Sequence, residues 1–387
     1  MRVPLLLELG AVVVGLAVLA RLAGRIGLPA VPLYLLAGLA FGEGGVLPLV
    51  TTEPFVETGA QLGLILLLFL LGLEYSAAEL TATLRSSFRA GLLDLALNAL
   101  PGLVAGYLLG RDLLTAMALG GIAYVTSSGI AAKLLQDLGR LGNRETPLVL
   151  SLLVVEDLAM AVYLPVLGAL LAGGGSLVGL AWAPVAVLAV VGILALALRV
   201  EVGLSRAVFS RSDEALLLTL LGFALVVAGV AELTRASAAV GALLAGIVLS
   251  GPAAQGARAL LAPLRDLFAA LFFASIGLGI DPAAVGSAIG PALALAAVGA
   301  VTKLATGWVA GSWAGLGPRA RLRAGAALVA RGEFSIAIAS LAAPASDRLV
   351  PVAVGYVLAL AVLGSLAARF ADPVGRALVA RSTRAQR

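Results

Sequence analysis

The sequence predicts an all-α polytopic membrane protein with about 13 transmembrane helices arranged as inverted six-helix repeats. Three observations carry this expectation. Apolar residues make up 61% of the chain and charged residues 12%, whereas soluble domains hold roughly 45–50% and 25%. The apolar residues fall into runs of about 20, the length that crosses a bilayer. The gaps between the runs alternate between arginine-rich and arginine-poor, as topology determinants do.

The runs follow in order. The first, 4–23, holds Glu8 and leads into Arg21 and Arg25 rather than a small-residue cleavage site, so it reads as a retained helix. The second, 29–48, is short and rich in glycine and proline, as is the ninth, 237–251. The third and fourth cover 58–75 and 87–109. The fifth, 113–138, is interrupted near its middle by Thr126, Ser127, Ser128 and Gly129. The sixth, 147–171, carries Glu156 and Asp157, and the seventh, 181–199, links the two halves. The eighth, tenth and eleventh cover 214–233, 263–280 and 289–315, with Lys303 inside the last. The twelfth, 321–343, has Arg331 and Glu333 at its centre, and the thirteenth covers 349–370. The chain thus reads as a single transmembrane domain over 1–387: first repeat 1–171, linker helix 181–199, second repeat 214–370 and basic cytoplasmic tail 371–387. No appended soluble domain is expected.

Gap charges orient these runs. Odd gaps hold Arg21 and Arg25, Arg85 and Arg89, Arg140 and Arg144, Arg199, Arg206 and Arg211, Arg258, and Arg319, Arg321 and Arg323. Even gaps hold Glu43, Glu53 and Glu57, then Arg111, nothing, Arg235, Asp281 and Arg348. The expected orientation is N-terminus outside and C-terminus cytoplasmic, in the cell inner membrane. The net charge of +5 is spread over these gaps, not gathered on one stripe; nucleic-acid binding is excluded on that ground.

Two internal matches support the repeat. Pro32-Leu-Tyr-Leu-Leu-Ala-Gly-Leu-Ala resembles Val240-Gly-Ala-Leu-Leu-Ala-Gly-Ile-Val, and Leu68-Phe-Leu-Leu-Gly-Leu-Glu resembles Leu271-Phe-Phe-Ala-Ser-Ile-Gly-Leu. Each pair is seven runs apart. An odd offset makes matched helices cross the membrane in opposite senses, the architecture of many secondary transporters.

The chain has no cysteine and no histidine. Proton chemistry must therefore use carboxylates, lysine or tyrosine, and no cofactor is called for. Glu156 and Asp157 sit inside an apolar span, where a charge costs roughly 2.5–3.5 kcal/mol even on lenient scales and marks a function by default. A cation that binds an ionised carboxylate there competes with a proton, which couples the two fluxes. Lys303, one of two lysines in the chain, is expected to pair with one of these carboxylates, Glu156 in preference, and to release it when the cation binds, or else to anchor the fold. Thr126, Ser127 and Ser128 offer hydroxyls and unwound carbonyls to a hard cation, or pack helices as small residues. Arg331 and Glu333 lie at comparable depth in the counterpart run; Glu333 could neutralise positive helix ends, or the two form a salt bridge. Asp94 lies inside the fourth run with no evident partner.

Leu28-Pro-Ala-Val-Pro-Leu-Tyr-Leu-Leu-Ala-Gly, Leu67-Leu-Phe-Leu-Leu-Gly-Leu-Glu, Leu271-Phe-Phe-Ala-Ser-Ile-Gly-Leu and Arg331-Gly-Glu-Phe resemble, in order, segments of the bacterial monovalent cation:proton antiporter family. That family includes sodium/proton antiporters and glutathione-gated potassium-efflux antiporters. The resemblance covers nearly the whole chain. It implies crossed discontinuous helices in a core domain that moves against a dimerisation domain, hence a homodimer. It implies that Asp157 binds both cation and proton. Glu156 departs from the aspartate of many electrogenic sodium members and from the glutamine of potassium-efflux members. Lys303 matches the family's buried lysine and Glu333 an acidic residue of the second crossing helix. No counterpart of the nucleotide-binding regulatory domain of the potassium-efflux members is expected.

The expected function is exchange of a monovalent cation, Na+ or K+, for protons by alternating access. The alternative is a cation channel, or channel-like efflux subunit, gated by a separate cytoplasmic partner. Sodium-coupled symport of an organic anion would need a more polar cavity than these runs offer, and no nucleophile–base set suggests an enzyme.

Overall fold

The computed structural model describes residues 5–26, 30–42, 53–74, 77–110, 112–172, 212–233, 238–250, 254–279 and 282–385. The linker run 181–199 lies outside them. The regular elements among the described residues are α-helices, joined by one 3-10 turn at Ala343–Ala345. They fall into two compact units, and both draw on both halves of the sequence.

The first unit takes in Met1–Leu19, Leu33–Ala82 and Leu158–Pro282. It holds most of α1 (Leu5–Ile26) and α2 (Val31–Phe41), together with α3 (Glu53–Glu74), α8 (Asp213–Leu233), α9 (Ala238–Val248) and α10 (Ala254–Leu278). Leu66, Phe69, Leu73, Leu216, Leu220 and Leu261 form its apolar core. Two helix pairs meet backbone to backbone. A Cβ on Gly38 would lie 2.1 Å from Ala274 O, and one on Gly277 2.3 Å from Leu35 O, so α2 and α10 touch through glycines. A Cβ on Gly72 would lie 2.2 Å from Leu243 O, and one on Gly246 2.1 Å from Phe69 O, so α3 and α9 touch the same way. Since α2 matches α9 in sequence and α3 matches α10, these two contacts are counterparts. An inverted repeat requires that relation.

The second unit takes in Ala20–Pro32, Thr83–Asp157 and Ala283–Arg387. It holds the greater part of α4 (Ala77–Gly110), α5 (Leu113–Tyr124), α6 (Ser128–Asp137), the first half of α7 (Thr146–Ala172), α11 (Pro282–Trp313), α12 (Pro318–Ala327), α13 (Glu333–Leu341) and α14 (Leu349–Ala385). Asp112 caps α5 by accepting from Thr115 N at 2.7 Å. Val149, Leu152, Ala310, Ala324, Ala327 and Leu328 join the helices in an apolar cluster. A Cβ on Gly307 would lie 2.0 Å from Gly325 N, so α11 and α12 are also in backbone contact. At one end, Arg323 donates to Glu145 at 2.8 Å and to Asp372 at 3.0 Å, and Arg319 grips Asp372 through two bonds of 2.7 Å. Three arginine-rich segments of the sequence meet there.

Among the described residues, 7 helical stretches are both long and apolar enough to span a membrane. The second and ninth are helices of 11 residues each, and the twelfth is split in two. Two boundaries move. The fourth helix begins at Ala77 and contains Arg85 and Arg89, and the last continues through the basic tail to Ala385. Arginine is a good helix former, and cations favour a helix C-terminus, so the end of an apolar run is not the end of its helix.

Candidate cation and proton site

The site lies in the second unit, where the fifth and twelfth runs are broken as expected. The first break falls at Val125–Ser127, between α5 and α6, and the second at Leu328–Gly332, between α12 and α13. The breaks touch. Ser127 N donates to Ala330 O at 3.1 Å, and Thr126 Oγ1 lies 3.2 Å from Leu328 O. Gly332 permits this approach, since a Cβ there would stand 2.6 Å from Ser127 Oγ.

Each break leaves carbonyls at a helix C-terminus without a next turn to bind. Arg331 collects both sets. Its Nη2 donates to Ala123 O at 2.9 Å, and its Nη1 to Leu328 O at 2.9 Å and Val329 O at 3.1 Å. Its Nε donates to Tyr356 OH at 3.1 Å, and that hydroxyl donates to Ala123 O at 3.2 Å. A cation shared by two helix C-termini offsets both negative dipole ends. Glu333 opens α13, but its side chain is not among those described. The partners found for Arg331 are carbonyls and a phenol.

The adjacent carboxylates of α7 point about 100° apart around the helix and reach different partners. Glu156 accepts from Thr126 N, from Thr126 Oγ1 at 3.0 Å and from Lys303 Nζ at 2.9 Å. Asp157 accepts from Ser128 Oγ at 3.1 Å. Ser128 opens α6, so Asp157 stands at a helix N-terminus, whose dipole favours a negative charge. The three hydroxyls therefore divide: Thr126 holds Glu156, Ser128 meets Asp157, and Ser127 accepts from Ile130 N at 3.3 Å as a cap of α6.

Lys303 pairs with Glu156, as the sequence suggests, but not with Glu156 alone. Its Nζ lies 2.8 Å and 2.9 Å from the two oxygens of Asp94. Asn98 Nδ2 donates to Asp94 Oδ1 at 2.9 Å, and Asn98 Oδ1 accepts from Thr302 Oγ1 at 2.7 Å. Lys303, Asp94, Glu156 and Arg331 are wholly buried. Sequence reasoning left Asp94 without a partner and missed Asn98 and Thr302. The usable signal was spacing: Asp94 and Asn98 are four apart on one helix, and Thr302, Lys303 and Thr306 share a face of another.

A family model described as sodium/hydrogen exchanger, transmembrane, matches residues 11–370. The chain belongs to the sodium/hydrogen exchanger family. It is 33% identical to the K(+)/H(+) antiporter subunit KhtU of Bacillus subtilis, over 97% of this chain and 95% of that protein. It is 32% identical to the ammonium/H(+) antiporter subunit AmhT of Alkalihalophilus pseudofirmus, with the same shares covered. It is 26% identical to the probable Na(+)/H(+) antiporter GerT of Bacillus cereus, over 82% of this chain and 84% of that protein. The sodium proton antiporter MjNhaP1 of Methanocaldococcus jannaschii shares the fold, with a TM-score of 0.66 at 16% identity over 95% of this chain and 96% of that one. This exchanger-family chain is a multi-pass membrane antiporter that exchanges a monovalent cation for protons. The channel alternative raised by the sequence is set aside, since these relatives are named antiporters.

Proposed function

We propose that Asp157 carries the exchange, binding either a monovalent cation or a proton, and that the cation is K+ or one of its size rather than Na+. The observation that carries the role of Asp157 is its place: a buried carboxylate at the N-terminus of α6, beside the break between two half-helices. An ionised carboxylate crossing the hydrophobic interior is costly unless neutralised. Either a cation or a proton neutralises it, so the loaded forms cross and the empty form does not. The Ser128 hydroxyl and the Asp157 carboxylate are hard oxygen ligands, suited to an alkali cation. Glu156, Thr126 and Ser127 hold this frame, and Lys303, Arg331 and Glu333 set its charge. The preference for K+ rests on the two relatives that match along nearly their whole length, named for K(+) and for ammonium, cations of similar size. Na+ is the alternative cargo.

The same reading places the chain in the inner membrane with its C-terminus cytoplasmic. The meeting of Arg319, Arg323, Glu145 and Asp372 at one end of the second unit supports a common side for three arginine-rich segments. A homodimer is proposed from the family. A separate subunit is proposed because KhtU and AmhT are both named antiporter subunits.

The test uses purified protein in vesicles that carry a lumenal pH dye and a preset pH gradient. K+, ammonium, Na+ or Li+ is added outside. Dye recovery with K+ well ahead of Na+ supports the cargo assignment; recovery with Na+ alone overturns it.

A further inference from the structure

The three arginines of α12 differ in their partners. Arg319 and Arg323 are held by Asp372 and Glu145. Arg321, between them, has no carboxylate partner among the described residues. Its Nε donates to Leu316 O at 2.6 Å, and its Cζ stands 5.8 Å from the centroid of the Trp308 ring. A guanidinium carries five N–H donors in a planar fork that fits a phosphate through two parallel bonds. Among the described residues, the carbonyl of Leu316 takes one of those donors and the indole face takes none, so the outer edge of the fork stays open. Around it, Arg319, Arg323 and Arg376 share Asp372 and Glu145, so this end of the unit holds a positive surplus even before Arg321 is counted.

The corner that carries Arg321 is built to hold it still. α11 ends in a tight turn, in which Gly315 has φ +69° and Leu316 N donates back to Gly311 O at 2.9 Å. A Cβ on Gly311 would lie 3.0 Å from Cγ of Arg321, so the arginine stem is wedged against α11. Depth identifies what the open donors face. Lys303 lies level with the broken helices, at the mid-depth expected of a transporter site. Trp313 follows it by ten residues on the same helix, about 15 Å further along the axis, which is half of a hydrocarbon core about 30 Å thick. Trp313 is 58% exposed and Trp308, one turn and a half deeper, 39%. Exposed tryptophans at this level mark the border between acyl chains and headgroups. A guanidinium stacked beside them reaches the level of lipid phosphates.

We propose that the corner between α11 and α12 is a binding site for one anionic phospholipid, with its headgroup phosphate on Arg321 and its acyl chains along the exposed indoles of Trp308 and Trp313. The positive surplus selects an anionic headgroup over a zwitterionic one, whose own cation would meet the neighbouring arginines. The indoles select a lipid over a soluble phosphate, which has no apolar part to cover them. The site lies outside the cluster around Asp157 and does not depend on how exchange proceeds there.

The test uses the tryptophans as reporters. The chain has three, Trp182, Trp308 and Trp313, so Trp182→Phe leaves only the two of the site. This protein is reconstituted in phosphatidylcholine vesicles that contain a small, equal fraction of either phosphatidylglycerol or phosphatidylcholine with brominated acyl chains, which quench nearby indoles. Brominated phosphatidylglycerol should quench more strongly, with a relative association constant of about fivefold, the size expected for one arginine at the membrane surface. Arg321→Gln should bring that ratio close to one. Arg369→Gln, which removes an exposed arginine of α14, should leave it unchanged, and both variants should keep the elution profile of the parent protein. Equal quenching by the two lipids in the parent protein overturns the proposal without recourse to any variant. A ratio that survives Arg321→Gln, or that falls as far in Arg369→Gln, overturns the assignment to this corner. Loss of the preference on adding inorganic phosphate, but not chloride at the same ionic strength, would make the occupant a soluble anion and overturn the lipid assignment.

Discussion

Lys303 shows how much a single side chain can decide. A buried ammonium without partners is costly, and a buried pair is stable only when its remaining donors are also satisfied. Asp94 and Glu156 together accept all three donors. Asp157, one residue beyond Glu156, faces Ser128 and a helix start instead. Asp157→Asn removes the charge and keeps the shape. Proton exchange is expected to fall to the vesicle background, while the purified protein keeps its elution profile and melting temperature. Arg331→Met should act on stability: it strips the buried carbonyls of Ala123, Leu328 and Val329 of a charged donor. Hydrogen bonds to charged groups contribute about 1.5–3 kcal/mol each, so a loss of at least about 3 kcal/mol is expected, read as a clear drop in melting temperature in detergent. Most of these residues were legible in the sequence because an ionisable group inside an apolar run stands out. Their pairings were not, because Asp94 and Lys303 are far apart along the chain and only the packing of α4 on α11 brings them together.

At the scale of elements, the broken helices were legible for a different reason. Thr126-Ser-Ser-Gly interrupts one apolar run with residues that weaken a helix, and Arg331-Gly-Glu interrupts another with a glycine between two charges; the chain leaves helical geometry beside both, at Val125–Ser127 and Leu328–Gly332. Helix ends were less legible. Hydropathy marks where an apolar run stops, and α4 and α14 extend past that point on residues that still favour helix. The glycines of the internal match have a packing role that composition alone did not assign. Gly246 faces Phe69 O and Gly38 faces Ala274 O, with no room for a side chain. Gly246→Leu should destabilise the first unit by about 1–3 kcal/mol or more through overpacking. Gly222→Ala, at a position with open space around it, should leave the melting temperature within a degree or two of wild type.

At the scale of the whole molecule, the two sequence repeats are not the two compact units. Each unit takes segments from both halves, and the division passes through α7 between Asp157 and Leu158. Sequence similarity follows the chain, whereas packing follows apolar faces, so the first does not outline the second. The proposed orientation rests on the distribution of arginine. Because the chain contains no cysteine, it can be mapped with introduced thiols. Ser382→Cys should react with an impermeant maleimide only from the cytoplasmic side, and Gly44→Cys only from the outside.

The central claim is that one buried carboxylate binds cation and proton in turn. The most direct measurement compares wild type and Asp157→Asn in the same vesicles, under the same pH gradient, on addition of K+. The account predicts prompt dye recovery for the wild-type protein, and none above protein-free vesicles for the variant at equal incorporation. Cation-dependent recovery that persists in Asp157→Asn would contradict it.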